Sequence, residues 1–240
     1  MTQRNMFVLT IWRAMKNFMR FFFPEEIDFY SPMEMMFELI ESSVDIYLDA
    51  AKKETLTQTD KATLCLMLKQ NELKGDEIVM QADADLKRTF TPPFSHVELR
   101  RLFNNLDNAL DMLDESAKAS VHADYRGGFP PFVKEQLSVY KRGVAETRKL
   151  VSHLRNPRRN TKEARKRLKR ISDIETEGDK IYWPAKKELS IYINDAARNN
   201  RLYDYRRGVM DEMTLDKMEE IIDTLVGTIK VIEGMLIEHA

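Results

Sequence analysis

The motif Glu-x-x-Gly-Asp-x-Ile occurs twice in this chain, at residues 72–78 and again 103 residues later at residues 175–181. A second motif, L-D-x-x-L-D-x-L at residues 106–113, returns 112 residues later as M-E-x-x-I-D-x-L at residues 218–225. Self-similarity at a nearly fixed offset indicates an internal duplication. Each half of the chain is therefore predicted to carry the same two acidic helices.

The composition favours helices over a sheet fold. The 240 residues include only eight glycines and eight prolines, and Glu, Lys, Arg, Leu, Met and Ala are abundant. We predict an all-α protein in which two repeated three-helix units form a six-helix bundle. The single cysteine, Cys65, stands in the apolar string 64–68 and is expected to be buried as a small hydrophobic residue. A lone cysteine also fits a reducing compartment.

Capping and proline signals locate the helix boundaries. Residues 31–34 (Ser-Pro-Met-Glu) predict one helix start, with Ser31 as the N-cap, and residues 95–98 (Ser-His-Val-Glu) predict a capping box at another. The Gly-Gly-Phe-Pro-Pro break at 127–131 falls near the midpoint, where two repeats would join. The predicted helices cover about 31–53, 59–89, 95–121, 131–154 and 161–197, with a last one from after 204 to 237.

Three units follow from this organisation: an N-terminal amphipathic segment at 1–24, a first repeat at 25–125 and a second repeat at 126–240. The segment 1–24 holds four basic residues and no acid among many aromatic side chains. No run approaches the roughly 18 apolar residues of a membrane span, and Arg13 interrupts the apolar stretch of a would-be secretory signal. We expect a cytoplasmic protein whose N-terminal helix lies on the inner face of a membrane, on its own bundle or on a dimer partner.

Residues 155–170 contain nine basic residues and one acid, Glu163. The plain interpretation is a solvated linker and helix start. The functional alternatives are contact with anionic lipid, with a transporter's cytoplasmic loop or with phosphate. Nucleic acid is disfavoured because no recognised binding motif or basic-aromatic platform accompanies the run.

Paired carboxylates are the main candidate site. Acids four residues apart on a helix lie about 5–6 Å from each other on one face, which suits chelation of a cation. The alternative is a set of interhelical salt bridges to the many Lys and Arg residues. Gly75 and Gly178 indicate a close approach by another helix or a ligand, because glycine inside a helix costs about 1 kcal/mol relative to alanine. The pairs are Glu72 with Asp76, Asp107 with Asp111, Glu175 with Asp179 and Glu219 with Asp223.

Such oxygen ligands favour Mg, Ca, Mn or iron. None of the four histidines stands three residues after a glutamate, so the Glu-x-x-His pattern of di-metal bundles is missing from the sequence. The chain also lacks a Gly-rich phosphate loop, a serine nucleophile elbow and a Cys/His cluster.

The chain resembles the PhoU-like family of phosphate transport regulators, in the branch associated with Pit-type phosphate transporters. The resemblance covers about residues 20–238 and is carried by segments 22–29, 72–76, 89–92, 106–111, 174–179 and 218–223. It implies a PhoU-like bundle of two three-helix repeats, a non-enzymatic role and metal ligation by all four acidic pairs. Asn108 stands where the family commonly has another aspartate, and Val226 where an acid often follows Asp223, which reduces the charge available to a multinuclear cluster.

From this resemblance we expect a regulator or accessory protein that binds a membrane phosphate transporter or its control partner. The implied cofactor is iron or another divalent or trivalent cation such as Mg, Mn or Ca, with no organic cofactor and no catalytic residue. Homo-oligomers and peripheral membrane contact are further expectations. Two alternatives stay open at this point: a carboxylate-bridged metal enzyme of a helical bundle, and a structural helical adaptor.

Overall fold

A computed structural model describes residues 27–122 and 128–239, and within these ranges the chain forms six α-helices and no strand. The prediction of an all-α bundle is confirmed. The predicted N-terminal segment 1–24 and the unit boundary at 125/126 lie outside the described residues, so the division into units stays a prediction. The helices are α1 Tyr30–Ala51, α2 Gln58–Arg88, α3 His96–His122, α4 Pro131–Ser152, α5 Pro157–Arg198 and α6 Leu202–Glu238, with a short 3-10 turn at His153–Arg155.

Two predicted helix starts are corrected. Ser31 is not the N-cap of α1, because the Asp28 carboxylate lies outside the helix and accepts hydrogen bonds from the backbone N–H of Tyr30 (2.8 Å) and of Ser31 (3.3 Å). The α5 helix begins at Pro157, four residues before the predicted start, with proline at its first position. Most of the basic run is therefore helix and not linker.

The capping box predicted for α3 is confirmed. Glu98 Oε2 accepts from the Ser95 N–H at 3.1 Å, and Ser95 Oγ accepts from the Glu98 N–H at 3.2 Å. A second box, formed by Thr57 and Asp60, starts α2. His96 is partly buried, with Nε2 3.1 Å from the Leu86 carbonyl oxygen, so it ties α3 to the end of α2.

Apolar residues at helical spacing form one core between the helices. The buried stripe of α1 consists of Phe37, Ile40, Val44 and Leu48, and that of α3 consists of Leu99, Leu102, Leu106, Leu110 and Leu113. Cys65 is only half-buried, because the α2 face that carries it also exposes neighbouring side chains, and burial raises the pKa of its thiol.

The two halves meet through matching antiparallel helix pairs. Lys217 of α6 pairs with Glu115 of α3 at 3.0 Å. Ten residues further along α6, a Cβ on Gly227 would lie 3.6 Å from Asn105, which is ten residues earlier on α3. The two helices therefore run in opposite directions. Arg148 of α4 reaches three glutamates of α1, which makes α1 and α4 the second such pair. Each acidic helix pair, α2 with α3 and α5 with α6, therefore stays within its own half.

None of the helices in the described ranges combines the length and the apolar character that crossing a bilayer requires. Residues 128–131 of the midpoint break are described, and Gly128 passes so close to the α1–α2 turn that a Cβ there would lie 2.3 Å from the Lys53 carbonyl oxygen. Any side chain would force that backbone apart, which explains the glycine.

Candidate functional site

Four predicted carboxylates come together between α2 and α3. Glu72 and Asp76 lie on α2, Asp107 and Asp111 lie on α3, and we call these four the first carboxylate cluster. The pKa of Asp107 is raised to about 6, first by burial and then by the negative charges of Asp76, Asp111 and Glu72. Burial and the charges of Glu72 and Asp76 also raise the pKa of Asp111, helped by a hydrogen bond between its carboxyl group and that of Glu72. These shifts show that the four groups share one electrostatic environment.

The first cluster carries more negative charge than its described partners neutralise. Lys69 pairs with Glu72, which is itself only 6% exposed. Asp107 Oδ1 is buried and has no hydrogen-bond donor among the described residues. A buried carboxylate oxygen without a donor is costly, and a cation or a protonated partner group would satisfy it.

A groove gives access to this cluster. Asp76 and Asp107 line a cavity of about 740 Å³ that continues along α2 and α3 past Met80 and Phe103. The far wall is closed by an ion pair between Arg100 and Asp83, 2.8 Å apart. Two of the four carboxylates are thus presented to a space large enough for a ligand or a partner side chain.

The second half brings together three of its four predicted acids. Asp179 of α5 lies near Glu219 and Asp223 of α6, and the pKa of Glu219 is raised by burial and then by the charges of Asp223, Asp179 and Asp216. These three form the second carboxylate cluster. Glu175, one turn earlier on α5, is half-buried and stands outside the described contacts of this group.

The two glycines play the same structural role in both halves. A Cβ on Gly75 would lie 2.4 Å from Leu110 Cδ1, and a Cβ on Gly178 would lie 2.8 Å from Ile222 Cδ1. Leu110 and Ile222 are the matched positions of the repeated motif. The close approach predicted for the glycines is therefore a helix contact, and it holds each pair of acidic helices side by side.

The residue that packs on each glycine from a third helix differs between the halves. Met36 of α1 faces Gly75, while the residue that faces Gly178 is Gln136 of α4, whose Nε2 donates to the Gly178 carbonyl oxygen at 3.1 Å. Gln136 Oε1 is buried without a described donor. Sequence reasoning missed this pair, although the offset of 100 residues between them nearly equals that of the first repeated motif.

A tighter group of possible metal ligands was not predicted. Within the described residues, the three ligand atoms that lie within 4.8 Å of one another belong to Glu98, Glu238 and His239. The antiparallel packing of α3 on α6 brings these three residues together, and no local spacing in the sequence predicts that they lie close to one another. In the part of the chain that the structure describes, no three carboxylates of either cluster lie that close to one another.

Fold and site together define a class of protein: an all-helical bundle of two matched halves, each presenting carboxylates from two neighbouring helices. Among solved structures, the chain is similar to the crystal structure of a PhoU-like protein from Shewanella oneidensis MR-1, with a TM-score of 0.68 and 13% sequence identity over 88% of this chain and 100% of that chain. The chain has a PhoU-like fold. No protein-family model and no curated protein matches it.

Proposed function

We propose that this chain regulates or assists phosphate transport by binding a membrane phosphate transporter of the Pit type, or that transporter's control partner. The fold supports the proposal through its likeness to a PhoU-like protein. The observation that carries it is the first carboxylate cluster, in which four acids from two helices converge and two of them open into a groove. A surface of this kind suits the binding of cations or of basic partner segments.

The docking surface extends from the first cluster along α2. Leu66, Leu73 and Met80 follow one another at seven-residue spacing, so they lie on one face of the helix, and each is about half or more exposed. Asp76 borders this stripe. An apolar stripe beside a negative cluster suits a partner helix with apolar and basic residues, such as a cytoplasmic segment of a membrane protein.

We propose that the carboxylate clusters bind metal ions. The first cluster fits a hard cation, because its donors are carboxylate oxygens and Asp107 Oδ1 is buried without a described donor. In the second half Glu175, Asp179, Glu219 and Asp223 are the proposed ligands. Iron, Mg, Mn or Ca would supply positive charge to both clusters. In the first cluster that charge would offset the repulsion that contributes to the raised pKa of Asp107.

A regulatory mechanism follows if the bound cation changes how the chain packs or docks. A ligand shifts a conformational equilibrium only through different affinities for the two states. Neutralising the clusters would change the charge and the side-chain arrangement of the face that α2 and α3, and likewise α5 and α6, offer to the transporter.

Phosphate uptake in a deletion strain tests this function. The strain is complemented with the wild type, with Asp107→Asn/Asp111→Asn, and with the control Glu77→Gln/Asp173→Asn, whose residues are exposed and outside the clusters. We expect loss of phosphate-dependent control on deletion, rescue by the wild type and the control, and no rescue by the cluster variant. Normal control in the deletion strain contradicts the proposal.

Copurification with the transporter separates the remaining alternatives. The proposal predicts that the wild type and the control retain the transporter and that the cluster variant loses it. A structural adaptor predicts that all three retain it. A metal enzyme predicts a turnover reaction that disappears in Glu72→Ala or Glu175→Ala while binding is unchanged.

A further inference from the structure

Arginines from the basic run converge on a cavity that is separate from both carboxylate clusters. The cavity has a volume of about 370 Å³ and lies where the start of α1, the 3-10 turn, the start of α5 and the end of α6 meet. Arg155, Arg158 and Arg159 line it, and the lining contains no carboxylate. Glu98 and Glu238 approach His239, one of the wall residues, but do not themselves line the cavity.

These three arginines form no ion pair with a described carboxylate, whereas Lys166, Arg167 and Arg170 of the same run do. Arg167 pairs with Glu146 at 2.8 Å, and its neighbour Lys166 lies near an acid one turn away. The charge of Arg155 also lowers the pKa of Asp28 in small part. The cavity therefore concentrates positive charge that the fold leaves available.

Aromatic contacts fix the shape of the cavity wall. The Arg155 guanidinium lies 4.6 Å above the centre of the Tyr30 ring, and the Tyr30 hydroxyl donates to the Leu154 carbonyl oxygen at 3.1 Å. The Phe94 ring packs edge to face against both Tyr30 and His239. A guanidinium held in place in this way loses less conformational entropy when it binds a ligand.

The start of α5 adds a second attraction for an anion. Its N-cap, Asn156, makes no side-chain capping bond, and the first turn contains no acid. The positive end of this long helix therefore faces the cavity without an internal negative partner. The arginines supply most of the attraction for an anion, and the positive end of the helix adds to it.

We propose that this cavity binds a phosphoryl group, as inorganic phosphate or as a phosphomonoester. Three guanidinium groups offer many donors in a fixed fork geometry, which matches a tetrahedral dianion with several acceptor oxygens better than a planar carboxylate. The volume is at the lower end of the range for ligand sites, which suits a small ligand. This site is independent of the proposed docking function and would stand even if that function failed.

Calorimetric titration of the full chain with inorganic phosphate at low ionic strength tests the proposal, with acetate as the planar comparison. The test variant is Arg158→Gln/Arg159→Gln. The control is Arg165→Gln/Lys169→Gln, which removes the same charge from exposed positions of α5 that do not line the cavity. We expect phosphate to bind the wild type, with affinity reduced at least about tenfold in the test variant and less than about twofold in the control.

Vesicle association distinguishes a free phosphate compound from a lipid headgroup. Phosphatidylcholine vesicles with and without phosphatidic acid, whose headgroup is a phosphomonoester, are added to the same three proteins. Association that needs phosphatidic acid together with Arg158 and Arg159 supports a lipid source, and phosphate binding without it supports a free ligand. The proposal is overturned if neither probe binds, if acetate binds as tightly as phosphate, or if both double variants lose binding equally.

Discussion

Gly75 of α2 packs so closely on Leu110 of α3 that a Cβ atom on the glycine would lie 2.4 Å from Leu110 Cδ1. The same contact recurs in the second half between Gly178 and Ile222. In both halves it sets the spacing of the two helices that carry the carboxylates. The glycines therefore act on the candidate site through helix packing.

Substitution of Gly75 by alanine is expected to destabilise the protein. Overpacking a core contact costs about 1–3 kcal/mol, and the gain in helix propensity returns about 1 kcal/mol, so the net loss in the free energy of unfolding is at most about 2 kcal/mol. Urea denaturation measures it. Gly234→Ala on α6 is the matched control, because no atom lies within 4 Å of its Cβ position, and it should be stabilising by about 0.5–1 kcal/mol. Equal effects at both sites contradict the packing role.

The raised pKa of Asp107 predicts a stability that falls as pH rises. Between the ordinary value of 3.8 and the folded value of about 6, the folded state binds more protons than the unfolded state. The free energy of unfolding therefore decreases across that window and levels off above it. Asp107→Asn removes the effect and should be more stable than the wild type at pH 7.5 by about 1 kcal/mol, a value reduced for solvent screening of this half-exposed group.

Thermal unfolding across pH 3.5 to about 8, with a chelator present, measures this difference. The advantage of Asp107→Asn should vanish below about pH 4, where the carboxyl group is protonated in both states. Glu77→Gln, an exposed acid of α2, should change stability little at any pH. An Asp107→Asn protein that is less stable than the wild type at pH 7.5 contradicts the crowding of negative charge.

Loss of Arg148 is expected to weaken the contact between the halves. Its guanidinium donates to Glu34 at 2.8 Å, to Glu38 at 3.0 Å and to Glu41 at 2.6 Å. Arg148→Gln leaves three neighbouring glutamates without their shared cation and should cost about 1–2 kcal/mol, more at low salt than at high salt.

Denaturation at two salt concentrations checks the effect of Arg148→Gln. Arg142→Gln is the control, because Arg142 forms one exposed ion pair with Glu177, and its loss should cost less than about 0.5 kcal/mol. If the two variants behave alike, Arg148 does not hold the halves together.

Much of the helical pattern could be predicted from the sequence because its signals are local. The Ser95 and Glu98 capping box and the apolar stripes of α1 and α3 depend on residues three or four apart. The start of α1 was misassigned because Asp28 and Ser31 both qualify as caps, and only the folded backbone decides between them. A helix was predicted through the basic run from residue 161, but its first turn from Pro157 was not.

The candidate site was predictable in part for the same reason. Each acidic pair is visible on one helix, and the repetition of the motifs suggested that the pairs belong together. How Asp179 comes to lie near Glu219 and Asp223 was not predictable in detail, because it depends on how α5 packs on α6. The arginine cavity and the Glu98, Glu238 and His239 group arise only where distant segments meet.

Metal content of the chain purified without chelator tests the central claim that the carboxylate clusters bind cations. Elemental analysis of the wild type should find at least one bound metal ion per chain. Asp107→Asn/Asp111→Asn should lose the ion of the first cluster, and Glu77→Gln/Asp173→Asn should keep it. Less than one metal ion per wild-type chain, or the same metal content in all three proteins, contradicts the account.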